Sequence, residues 1–274
     1  MYGKSGGLIT TIKIPELEWN RLVTSPYRRM EYEVVLYFLE QFLPPAGHIL
    51  DLGGGPGRYA VYLAKRGYQV TLVDLAPENI RFAREKFRNA GLLKQVQGFY
   101  TADAVNLDFL TAHTFDAVLC LGPLYHLPEQ SDRLQCLHEC HRVLKQGAPL
   151  FLMVIPPASY FRDALRSGLF DQTARQDPAV FAEILQEGTS PRSQVPNMYF
   201  CGDKEVRELL RRTDFLPVQF ASVHGAAAFL DEQVNRIGKD VTFWNLLVQL
   251  VIETCTDAGQ FSAAEHLLGI AKKV

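Results

Sequence analysis

The chain of 274 residues carries 28 Lys and Arg against 30 Asp and Glu, a formal net charge of −2, and is 47% hydrophobic and 21% charged. These proportions fit a single globular domain with room for an appendage. The balanced charge argues against a protein built around nucleic-acid phosphates, which needs a strongly basic face. No apolar run approaches the roughly 20 residues that cross a bilayer; the longest, FWNLLVQLVI, is broken by Asn245 and Gln249. The stretch MYGKSGGLITTIKIPELEW lacks a signal-peptide core, so a cytoplasmic protein is expected, with no membrane partner.

Residues 28–42 (RRMEYEVVLYFLEQF) read as an amphipathic helix stopped by Pro44-Pro45. Strands and helices then alternate. HILDL is a buried strand, RYAVYLAKRG a helix closed by Gly67, and QVTLVD a second strand. PENIRFAREKFRNAG is a helix with Pro77 at its start and Gly91 at its end, followed by the strand QVQGFYTAD. FDAVLCLG is a fourth strand, PEQSDRLQCLHECHRVLKQG a helix, and PLFLMVI a fifth strand. The runs AVLCL and LFLMVI look buried on both faces, as in a parallel sheet covered by helices. Residues 157–201 suggest only short helices and read as a cap inserted after strand five, beside the carboxyl ends of the sheet, where ligands bind in this architecture. DKEVRELLRRTD is a helix, PVQFASV a sixth strand, residues 242–256 helical, and EHLLGIAKKV the last strand.

Five scattered cysteines disfavour a disulfide framework. The cluster Cys136, His138, Cys140, His141 fits no zinc spacing. It reads as one helix burying Leu134, Leu137, Cys140 and Leu144, with Cys120 in the core of strand four. No metal site is predicted.

The chemistry-bearing stretch is HILDLGGGPGRYA. A glycine-rich turn from strand to helix lets a ligand approach the backbone. The dinucleotide fingerprint G-x-G-x-x-G fails, because Arg58 stands where its third glycine belongs, and no Gly-Lys-Ser/Thr follows to make a P-loop. What fits is D-x-G-x-G-x-G: Asp51, Gly53, Gly55 and Gly57. So many glycines make a poor turn for stability alone, at roughly 0.5–1 kcal/mol each in regular structure.

This motif resembles the first motif of class I S-adenosylmethionine-dependent methyltransferases. With LDLGGGPGRYAVYLAKRGYQVTLVDLAP, LCLGPLYHL and HRVLKQG it resembles the type-11 branch, which includes ubiquinone and menaquinone biosynthetic enzymes. The likeness is good over residues 27–155 and weaker beyond. It implies a single Rossmann-like, doubly wound α/β domain over 1–274. Its seven-stranded sheet would run 3-2-1-4-5-7-6 with strand seven antiparallel, with an N-terminal helical lid over 1–45. The cofactor implied is S-adenosylmethionine, giving S-adenosylhomocysteine. Asp51, Gly53, Gly55 and Gly57 would face its methionine half. Asp74 would accept the ribose hydroxyls, Asp103 the adenine amino group, and Leu75, Ala104 and Leu121 would pack nearby.

His126, at the carboxyl end of strand four, is a candidate base or substrate contact, or a brace for its loop. Tyr27 and His224 are further candidates, against the readings of an exposed turn and a non-pocket residue. Tyr125 is expected to pack near the cofactor. Tyr160, Tyr199 and Phe200 would form either an aromatic wall or the cap's own core. The segment Gly122-Pro123-Leu124-Tyr125 lacks the polar first residue of amino-group methyltransferases. The resemblance therefore implies methyl transfer to a small-molecule acceptor. An RNA or protein methyltransferase and a non-catalytic cofactor binder are the alternatives; the acceptor atom and oligomeric state are not legible.

Overall fold

The structure, a computed structural model, describes residues 14–189 and 198–274. The first part of the expected lid and residues 190–197 of the expected cap lie outside the described residues. Seven strands form one sheet in the order β3-β2-β1-β4-β5-β7-β6. They are β1 His48–Leu52, β2 Gln69–Asp74, β3 Val96–Thr101, β4 Ala117–Cys120, β5 Pro149–Val154, β6 Phe215–Ser222 and β7 Leu267–Lys273. The first five pair in parallel, whereas β7 runs antiparallel to both β5 and β6. Every residue of β4 and β5 is buried, which is why both strands are continuous apolar runs. The β6–β7 register shifts between Pro217 and Gln219, where proline supplies no N–H to the ladder.

Eleven described helices surround the sheet. Ahead of β1 stand α1 Pro15–Arg21 and α2 Pro26–Phe42; the crossovers are α3 Arg58–Lys65, α4 Pro77–Asn89 and α5 Gln130–Val143. After β5 come α6 Pro157–Arg166, α7 Phe170–Gln176 and α8 Val180–Glu187, in the stretch expected as a cap, followed by α9 Asp203–Arg212, α10 Asp231–Ile237 and α11 Val241–Thr254. One apolar layer joins α2, α3, α4 and α11 to the sheet through residues such as Met30, Phe38, Leu63, Phe87 and Trp244. The other joins α5 and α9 through Leu137, Val143 and Leu209. No helix among the described residues is long and apolar enough to cross a membrane.

Several boundaries differ from the sequence expectation for local reasons. The helix expected from residue 28 starts at Pro26, because the Ser25 side chain accepts the Arg28 N–H and Pro26 suits the first turn. β3 stops at Thr101, since Asp103 turns the chain by accepting the Val105 N–H at 3.2 Å. α5 ends at Val143, ahead of the Lys145–Gly147 turn, in which Gly147 has φ 73°. α10 was not expected, and α1 falls within the expected N-terminal helical segment, although no helix of its own was expected there. The open choice over the cap aromatics resolves toward a small core: Tyr160 and Phe181 pack on Ile155, Val180, Ile184, Met198 and Phe200. Tyr199 turns instead into the α5–α9 layer, under the Arg133 guanidinium at 3.3 Å.

Candidate active site

Beyond β1 the chain reverses through Gly53, Gly55 and Gly57, at φ 64°, 57° and 81°. These are left-handed conformations that side chains disfavour. Space imposes a second demand. A Cβ on Gly53 would stand 2.6 Å from Pro123 Cγ, and one on Gly54 2.4 Å from both Asp51 Cγ and Leu72 Cδ1. Gly55 is different: its nearest neighbours would be Glu18 Cγ at 3.7 Å and Asn79 Nδ2 at 4.0 Å, so it is the more open of the loop glycines. The Gly53 and Gly54 amides donate to Val73 O at 2.8 and 3.3 Å, tying the loop to the end of β2. Pro56 lies inside the turn closed by Gly57 N–H to Gly54 O at 3.0 Å, so its missing N–H breaks no bond.

Two carboxylates flank the loop. Asp51 is 2% exposed, and its Oδ2 has no hydrogen-bond partner among the described residues. Burial pushes its carboxyl up to about 7; the Ala60 amide opposes that shift and the Asp74 charge adds to it. Asp74, at the end of β2, accepts the Gly55 N–H at 2.8 Å, the Ala76 N–H at 2.9 Å and the Asn79 amide at 3.0 Å. Burial raises Asp74 as well, despite these three donors. An orphaned buried carboxylate oxygen beside a bare backbone fits a ligand that brings a cationic donor. Asp103 is exposed, Leu75 is 68% exposed, and Ala104 and Leu121 are half-buried, all at the carboxyl edge of the sheet.

His126 ends the short 3₁₀ turn Pro123–His126 and is half-buried. Burial lowers it to about 4, so the ring is uncharged near neutral pH. Its neighbour Tyr125 packs on the His126 and His266 rings, with centroids at 4.7 and 5.9 Å. His266 was not singled out from the sequence. Its Nδ1 lies 3.1 Å from Glu31 Oε2, and Glu31 Oε1 meets the Arg21 guanidinium at 3.4 Å. Arg21 in turn donates to Glu18 at 2.8 Å. Burial opposes ionisation of Glu31, but Arg21 and His266 outweigh it and hold the carboxyl far below the usual range. His266 also lines a cavity of about 40 Å³ with Arg28, Ile155, Ser159, Arg166 and Phe229. Arg166 is paired with Asp163, Asp231 and Glu265. Arg28 has no ion-pair partner among the described residues.

Tyr27 and His224 fall inside the protein, not on this cavity. They are 1% and 0% exposed, with rings stacked at 4.5 Å. The Tyr27 hydroxyl donates to Glu265 at 2.7 Å and accepts the Phe229 N–H at 2.6 Å, so its hydrogen-bonding capacity is taken. His224 Nε2 faces Tyr27 O at 3.2 Å, and an acceptor there places the proton on Nε2. Both residues brace α2 against the segment after β6. The CLHECH stretch is helical as expected, with Cys136 and Cys140 buried and His138 exposed.

Residues 49–147 match the model of a family described as a methyltransferase domain. A ubiquinone biosynthesis O-methyltransferase of Xanthomonas axonopodis pv. citri is 37% identical over 131 residues, 46% of this chain and 52% of that protein. One from Xylella fastidiosa is 35% identical over 125 residues, 44% of this chain and 48% of that protein. The chain thus spans about half the length of the curated relatives it matches. Among solved structures, a SAM-dependent methyltransferase of Methanosarcina mazei superposes with a TM-score of 0.58 at 20% identity, covering 86% of this chain and 97% of that one. The 1,6-didemethyltoxoflavin-N1-methyltransferase of Burkholderia thailandensis, solved with bound 1,6-didemethyltoxoflavin and S-adenosylhomocysteine, gives 0.56 at 16% identity, covering 97% and 85%. Such distant structures establish the shared fold alone. With the sheet order and the glycine loop, residues 49–147 are similar to a methyltransferase domain, and over that stretch the chain resembles the ubiquinone biosynthesis O-methyltransferases.

Proposed function

We propose that the chain transfers a methyl group from S-adenosylmethionine to an oxygen of a small hydroxylated acceptor, in the cytoplasm. The observation that carries the reading is the unpartnered Asp51 Oδ2 beside the glycine loop, with Asp74 at the next strand end. When bound, S-adenosylmethionine supplies a methyl group activated by its sulfonium. Asp51 is suited to its ammonium, and Asp74 to the ribose hydroxyls, since a carboxylate accepts about four hydrogen bonds and Asp74 has three. Leu75, Ala104 and Leu121 offer apolar surface at the same edge, and Asp103 an acceptor for the adenine amino group.

The acceptor is assigned to the side of the site walled by Arg28, Ser159 and His266, where the cavity of about 40 Å³ holds only a few waters and must widen to admit it. Glu31 opposite Nδ1 of His266 fixes the tautomer with the proton on Nδ1, leaving Nε2 free to accept a proton from an acceptor hydroxyl. His126, uncharged and beside Tyr125, is a second group able to accept a proton or a hydrogen bond. The name shared by the curated relatives, O-methyltransferase, supports oxygen as the acceptor atom. The near-neutral charge supports a small molecule over RNA. The five cysteines, all free, suit a reducing compartment. Calorimetric titration with S-adenosylmethionine and separately with NAD tests the cradle. Micromolar binding of the first alone is expected, and binding of neither would remove the reading. Transfer of labelled methyl to a panel of phenols and catechols, against amines, then tests the oxygen assignment.

A further inference from the structure

A cluster unused by this chemistry lies just behind the cradle. Cys120 is the last residue of β4; Cys136 and Cys140 are one turn apart on the inner face of α5. All three are 0% exposed, and their Sγ atoms lie within 4.8 Å of one another, Cys120 and Cys136 at 3.9 Å. Two sulfurs about 2.3 Å from a trigonal ion would sit ~4.0 Å apart, so this separation already suits joint ligation. Among the described residues no other Cys, His, Asp or Glu joins the group. Its surroundings are the apolar layer between α5 and the sheet.

We propose that Cys120, Cys136 and Cys140 form a trigonal site for a soft monovalent d¹⁰ cation, whose biological member is Cu(I). The donor set excludes Mg²⁺ and Ca²⁺, which require oxygen ligands, and an all-sulfur set selects soft ions. Zinc wants a fourth ligand, which this site does not supply. Coordinating cysteines bind as thiolates, so filling the site releases thiol protons, and a three-coordinate ion needs no ligand from outside the cluster.

The test is anaerobic titration of the reduced full chain with Cu(I) in competition with a chromophoric Cu(I) chelator. A single Cu(I) per chain is expected, with a rise in melting temperature. Cys136→Ala and Cys120→Ala should each weaken binding by more than the roughly 10–100-fold that changes around a metal's ligands cost. Cys201→Ala and Cys255→Ala, outside the cluster, should leave it unchanged. X-ray absorption of the wild-type complex should show three sulfur neighbours, a readout that survives should either cluster variant fail to fold. Failure to retain Cu(I), unaltered affinity in Cys136→Ala, tighter binding of Zn(II), or fewer than three sulfurs would each overturn the assignment. None of these outcomes bears on methyl transfer.

Discussion

Asp51 links the cradle to pH. Its carboxyl stands at about 7 in the folded chain against an ordinary 3.8, because burial penalises the charged form. That difference is a factor of about a thousand in proton affinity, or ~4 kcal/mol as an upper figure. The raised value fixes the sign. The folded state holds the proton more tightly than the unfolded chain, so the contribution is fully present below 3.8 and is lost as pH rises through about 7. Between pH 5 and pH 8 the loss is roughly 2–3 kcal/mol. Asp51→Asn removes the titration and keeps the shape. Urea unfolding at pH 5, 6, 7 and 8 should therefore show the wild type losing stability relative to the variant by about that amount. Cofactor binding should run the other way. The ammonium needs the ionised carboxylate, so wild-type affinity should rise toward pH 8, while the variant binds weakly with a flat profile. Parallel stability curves for the two proteins would refute a buried, protonated Asp51. Full affinity in the variant would refute its role in the cradle.

His126→Ala should lower turnover several-fold while changing cofactor affinity far less; an equal loss of both would mark His126 as a loop brace. Because burial holds His126 near 4, its own titration should leave no step in the rate between pH 5 and 8. Glu31→Gln should destabilise the fold by roughly 1–3 kcal/mol, since it removes the buried carboxylate shared by Arg21 and His266 and leaves Arg21 with Glu18 alone. It should also flatten the acid limb of stability, because a depressed carboxyl contributes above its ordinary 4.5 and loses that contribution as pH falls. Tyr27→Phe removes a buried donor to Glu265 and the acceptor for Phe229 N–H, at a cost of about 1–3 kcal/mol in chemical denaturation. Turnover per folded molecule should stay unchanged, as Tyr27 does not line the cavity.

What could be read from the sequence was whatever the backbone enforces locally. Parallel strands buried on both faces must be continuous apolar runs, and prolines and glycines mark helix ends, so the order of elements was plain. The loop was legible for the same reason: φ values near +60° and a close approach to Pro123 leave glycine no substitute. Pairings across the fold were not. Glu31 and His266 are 235 positions apart, and no local rule joins them. One signal was available, since Glu31 interrupts the buried face of α2 between Tyr27 and Val34, and a lone acid on an apolar face needs a buried partner. Tyr27 and His224 showed the reverse problem. Polar residues at element ends suggest a site, and only the fold shows that they stack on each other. The three cysteines likewise come from two elements that meet only in space.

Helix α1 was illegible because it buries no residue fully and has no side-chain cap. Its position is set from outside: Arg58 donates to Trp19 O and stacks on the Trp19 ring at 4.4 Å, while Trp19 meets Phe82 at 6.1 Å. The consequence is electrostatic. Glu18 is held over Gly55, where its charge pushes both Asp74 and His126 upward. Three carboxylates, Glu18, Asp51 and Asp74, thus converge on one glycine loop with Arg21 on the far side of Glu18. Such an arrangement repels itself unless the ligand is cationic, and S-adenosylmethionine carries a sulfonium that S-adenosylhomocysteine lacks. Glu18→Gln should therefore weaken the sulfonium form more than the thioether form. At 28% side-chain exposure the contact is partly screened, so the difference should be about 1 kcal/mol, roughly five-fold, and should shrink as salt rises. Equal losses for both ligands would mean that Glu18 only positions α1 through Arg21, without sensing the charge of the ligand.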